Sequence, residues 1–175
     1  MTAYWRLMRP KGLFFVLALV AIGYGWAHWD RALHVRSPVQ FAALLGVWSF
    51  FYAGSMWLNA VLDQDDTDVI FGEVATVPTG LYAIALGTLG LGTVLAWSIS
   101  VPIGWIGVGV SGLAWLYSDP RVAWKAHPIG GPVVNAIGYG VLSPMAGWWI
   151  VGVEFNARTV VTLSLLGLAI LGTYY

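Results

Sequence analysis

Two long stretches of this chain carry no charged side chain at all, Ser37 to Leu62 and Val74 to Ser118. A bilayer's hydrocarbon is crossed by about 20 apolar residues in helical form, because the helix satisfies its own backbone hydrogen bonds. The second stretch is long enough for two such crossings. With 59% apolar and 9% charged residues overall, a soluble fold is excluded. The expected fold class is all-α, a polytopic transmembrane helical bundle forming a single membrane domain over residues 1–175. No cysteine is present, so disulfides and thiolate metal sites are excluded. A formal net charge of zero gives no support to nucleic-acid binding.

Hydropathy divides the chain into about six spans: Gly12 to Trp29, Val39 to Leu62, Thr79 to Ser98, Pro102 to Tyr117, Gly131 to Val153, and Thr159 to the C-terminus. The opening MTAYWRLMRPKGLFF has the basic flank of a signal peptide. Its apolar run continues to about Trp29, so it reads as a retained first helix, with a cleaved signal as the alternative. Ser98, Ser100 and Pro102 predict a tight hairpin between the third and fourth spans. Gly104, Gly107 and Ser111 share one helix face and Gly87 and Gly90 another, as surfaces for close helix packing.

With the N-terminus inside, Arg6, Arg9, Lys11, Arg121 and Lys125 fall on the cytoplasmic side and Arg31, Arg36 and Arg158 opposite. This predicts an inner-membrane protein whose site faces the cytoplasm. An even number of crossings separates the loop after span two from the loop after span four. Both therefore share one face whichever way the chain is inserted.

The first of those loops is acidic. Five of the eight acidic residues, Asp63, Asp65, Asp66, Asp68 and Glu73, fall within NAVLDQDDTDVIFGE. Crowded carboxylates repel one another. Hard oxygen ligands at this density beside a membrane suit Mg²⁺, whose usual cargo is phosphate. Asn59, Asp63 and Asp66 follow a four-then-three spacing and would form one stripe if the helix continued another turn. A solvated acidic loop that merely ends a helix is the competing reading. An EF-hand loop is disfavoured, since its glycine position holds Asp68 and its closing glutamate position Val74.

The second loop is basic. Tyr117, Arg121 and Lys125 recur every four residues at the end of span four. Arginine offers a planar fork to phosphate and lysine a point charge. Basic residues that anchor at the interface are the alternative. His127 lies in the same loop. The string GVGVSG, Gly107 to Gly112, matches a dinucleotide fingerprint only in spelling, because no strand precedes it.

Together the two loops resemble the UbiA superfamily of intramembrane prenyltransferases. Asn59 and Asp63 match that family's N-x-x-x-D-x-x-x-D motif at the end of its second helix. Tyr117 and Arg121 match its tyrosine and basic pair near the end of the fourth. The motif's last aspartate would fall on Thr67, so Asp66 is the favoured substitute and Asp68 the other candidate. Arg121 stands where lysine is more usual, and Lys125 shares its role. The family usually has nine helices and a second Asp-rich motif after the sixth. This chain ends at GTYY, and reads as the N-terminal two-thirds of such a fold.

The resemblance implies Mg²⁺-dependent transfer of a prenyl group from an isoprenoid diphosphate to an aromatic or other lipophilic acceptor within the bilayer. It implies Asn59, Asp63, Asp66 and Asp68 as metal ligands, with Asp63, Asp66 and Tyr117 at the reacting centre. Asn59, Arg121 and Lys125 would meet the diphosphate. The alternative is a non-enzymatic membrane protein, either an inactive shortened member or a small transport or assembly protein.

Overall fold

The computed structural model describes residues 2–28, 38–63, 76–122, 124–151 and 156–173, with the side chains of His28 and Asp63 outside that description. The described residues form helices and turns only. A short α1 (Ala3–Leu7) leads into α2 (Pro10–His28), then α3 (Pro38–Asp63), α4 (Leu81–Ile99) and α5 (Val101–Ser118). A single 3₁₀ turn, Trp124–Ala126, precedes a composite fifth span. That span is built from α6 (Gly130–Asn135), a π-helical segment (Ala136–Leu142) and α7 (Ser143–Trp149), and α8 (Ala157–Gly172) follows it. Helices α2 to α5 are each long and apolar enough to cross a bilayer. At 16 residues, α8 rises about 24 Å.

The ends of these helices follow local chemistry. Ser100 joins α4 to α5 in extended conformation and caps α5, accepting from the Ile103 amide at 3.4 Å, and Pro102 sits in the first turn. The predicted hairpin is there. Asn156 caps α8 the same way, through Thr159 N–H at 3.1 Å.

The fifth span departs from the single helix expected over Gly131 to Val153. Pro144 has no N–H to give back to the preceding turn. The ladder shifts to π register, and the Ser143 amide and hydroxyl both donate to the Gly138 carbonyl, the hydroxyl at 2.8 Å. The same hydroxyl accepts from Trp48 Nε1 at 3.1 Å, which ties the irregular segment to the middle of α3.

Lipid is as apolar as leucine, so close packing and internal hydrogen bonds hold such a bundle together. Trp48, Phe51, Leu44 and Val20 are fully buried at its centre. Where α2 meets α7 the backbones nearly touch. A Cβ on Gly23 would overlap the Pro144 carbonyl, and one on Gly147 the Val20 carbonyl. Gly104 and Gly107 face Trp97 and Phe51, and Ser111 and Thr93 hydroxyls lie 3.1 Å apart, so that face packs as expected. Gly87 and Gly90 have nothing within 4 Å among the described residues, and their face looks outward instead.

Candidate functional site

One end of the bundle gathers the chain's polar chemistry. Helix α3 runs through Asp63, so Asn59 and Asp63 stand one turn apart on it. Asn59 is only 4% exposed, and its carbonyl oxygen Oδ1 has no hydrogen-bond partner among the described residues. An unpaired buried amide oxygen costs about 1–3 kcal/mol, so an orphan here calls for an explanation. Asp66 and Asp68, with the side chain of Asp63, lie outside the described residues. Among the described residues no three His, Cys, Asp or Glu side chains cluster as a metal site.

The N-terminal segment straps this end of the bundle. Trp57 Nε1 donates to the Tyr4 carbonyl at 2.9 Å, and the two rings meet edge to face. Leu7 packs with Ala60 and Leu81, covering the last turns of α3 and the start of α4. Between α1 and α2 the chain turns sharply at Arg9, whose φ of 54° is left-handed. Pro10 disfavours the right-handed helical region for its predecessor, and the Tyr52 hydroxyl pins the Arg9 carbonyl at 2.8 Å. Gly12 makes room, since a Cβ there would overlap that hydroxyl.

Tyr117 occupies the last turn of α5, half-buried, and the chain then enters a tight turn over Asp119, Pro120, Arg121 and Val122. The Val122 amide donates to the Asp119 carbonyl at 3.1 Å, with proline at the second position. Asp119 Oδ1 accepts from the Arg121 amide at 2.8 Å and from Arg121 Nε at 3.1 Å. Its Oδ2 accepts from Arg121 Nη2 at 3.0 Å. These hydrogen bonds hold the Asp119 carboxyl below its ordinary 3.8 and raise the pKa of Arg121.

Lys125 sits in the 3₁₀ turn that follows. Desolvation first, and then the positive charge of Arg9, push it below its ordinary 10.5. His127 Nδ1 accepts from the Ile129 and Gly130 amides at 3.2 and 3.0 Å, so it caps the start of α6. A cavity of about 460 Å³ opens at the opposite end of the bundle, lined by Gln40, Ser100, Ile103 and Trp149 among others. It contains none of the candidate residues.

Helix α1 lies on the end of α3, and the Arg9 charge acts on Lys125; the acidic stretch after Asp63, predicted to share that face, lies outside the described residues. Neither Asp119 nor Arg9 was among the predicted site residues. Asp119 was visible as D-P-R, a turn signal with an acid two residues before a base. Arg9 had no local signal, since its neighbour Lys125 is remote in the chain.

The architecture can be compared with solved structures. The chain matches a UbiA homolog from Archaeoglobus fulgidus, bound to Cd²⁺, with a TM-score of 0.76 and 22% sequence identity. The fold is UbiA-like. The match covers 99% of this chain and 60% of that one, so the chain spans about three-fifths of the homolog's length. No family model and no curated protein matches the sequence. The UbiA-like fold and the four long apolar helices make this an integral membrane protein.

Proposed function

We propose that this chain binds a prenyl diphosphate at the polar end of its bundle with Mg²⁺ and transfers the prenyl group to a lipophilic acceptor. One observation carries the reading. Asn59 Oδ1 is buried, has no hydrogen-bond partner among the described residues and lies one helical turn from Asp63, which suits a hard cation. Its fold relative bound a divalent metal, Cd²⁺.

Asn59, Asp63 and Asp66 would hold the ion, with Asp68 as a further ligand. When bound, Mg²⁺ offsets the negative charge of the diphosphate as it departs. The chain's own cations would do the rest. Lys125 and Arg121 would take up charge on the leaving anion in a site poor in water, where fixed charges act most strongly. The depressed pKa of Lys125 supports this role, because an arriving anion would offset the repulsion from Arg9. Tyr117 would line the pocket beside the allylic carbon. Loss of the diphosphate leaves an allylic cation, which an electron-rich acceptor attacks before releasing a proton.

Purified chain should convert labelled prenyl diphosphate in the presence of an acceptor panel and Mg²⁺, and EDTA should abolish the conversion. Undiminished transfer by an Asp63→Ala variant would overturn the assignment. Binding without transfer is the alternative reading. It predicts pyrophosphate binding with no turnover.

A further inference from the structure

We infer that Asp119 is a positioning residue, which holds the Arg121 guanidinium so that its outer edge is presented to a diphosphate. This rests on the reading that Arg121 meets the diphosphate. The carboxylate is almost wholly covered, with its side chain 5% exposed, whereas the Arg121 side chain is 82% exposed. All three hydrogen bonds to the Asp119 carboxylate among the described residues come from Arg121.

The amide bond alone would build the turn, as Asp and Asn do in many loops. The two guanidinium bonds are not needed for that. They use the Nε–Nη2 edge and leave both Nη1 hydrogens and one Nη2 hydrogen, which have no partner among the described residues. One hydrogen on each Nη forms the outer edge, which can grip phosphate in two parallel bonds. Pro120 fixes the turn beneath it, so both the backbone and the side chain of Arg121 are set before any ligand arrives. A free arginine surrenders considerable rotamer freedom when it binds, and this one has surrendered it already.

A carboxylate beside an anion site also repels the anion, so the net sign is open to test. The probe is inorganic pyrophosphate with Mg²⁺, titrated calorimetrically into the full chain in lipid nanodiscs. Arg121→Ala should weaken binding about tenfold. Asp119→Ala should weaken it about three- to tenfold, and the double variant no more than Arg121→Ala. Asp119→Asn keeps an oxygen for the Arg121 amide and so preserves the turn, yet should bind as poorly as Asp119→Ala. Thermal unfolding of each variant checks that the fold persists. Unchanged or tighter binding by Asp119→Asn, or losses that add in the double variant, would overturn the inference. Wild-type chain that binds no pyrophosphate would sink the functional reading as a whole, which separates the two failures.

Discussion

Two buried polar side chains in this bundle have opposite fates. Ser143, 3% exposed in the fifth span, accepts from Trp48 and donates to Gly138, so its hydroxyl is satisfied in both senses. Asn59, 4% exposed, keeps an oxygen with no partner among the described residues. The contrast separates fold from function. The Ser143 hydroxyl closes the hydrogen-bond accounts of an irregular backbone. At the mouth, the proposed cation would supply the Asn59 oxygen with a partner.

The sharpest way to break that contrast is at the mouth. Asp63→Ala should lower Mg²⁺-dependent prenyl transfer at least about 100-fold with the helical circular dichroism spectrum unchanged. Asn59→Leu should cut Mg²⁺-pyrophosphate affinity about tenfold or more. The same change should leave stability unaltered or raise it by about 1 kcal/mol, because it removes an unpaired buried amide. A strongly destabilised Asn59→Leu protein would make Asn59 a second structural residue and erase the difference.

The opposite pattern is expected in the fifth span. Ser143→Ala should destabilise the bundle by about 1–3 kcal/mol in denaturant titration, since it strands the Trp48 N–H, while pyrophosphate affinity stays unchanged.

A subtler effect concerns Asp119. Its folded pKa lies below 3.8 chiefly through the hydrogen bonds from Arg121. The clamp's contribution is therefore complete above the unfolded value and is lost as pH falls through the lowered folded one. Carboxyl ¹³C NMR should place the Asp119 midpoint below that of its Arg121→Ala counterpart.

Smallest of all, Arg9→Gln should raise the Lys125 pKa only part of the way toward 10.5. Desolvation is the larger cause of the depression, and the Arg9 charge the lesser. A charged Lys125 is disfavoured in the folded chain, so the folded state gains as pH rises through the lowered pKa and stops gaining near 10.5. NMR of ¹³C-methylated lysines reads both values.

Much of this was legible without coordinates. The spacing of Asn59 and Asp63 is a helix property, and α3 does run through both. Hydropathy placed Tyr117 at the end of span four, and α5 ends at Ser118. The π segment was not legible. Hydropathy reports how apolar a span is, and it is blind to which carbonyl each amide chooses. Nor could spacing alone distinguish Gly104 and Gly107, which face neighbouring helices, from Gly87 and Gly90, which do not.

The linear chain determined that this protein is a bundle of membrane helices, because hydrocarbon tolerates few charges and requires every backbone group to be paired. Parity of crossings along it also predicts the acid-rich and base-bearing loops on one face. Only the packed structure decided which polar groups are satisfied. It bound Arg121 to Asp119, set Lys125 within the field of Arg9 and left the Asn59 oxygen without a partner among the described residues, because such contacts depend on how remote turns settle against one another in space.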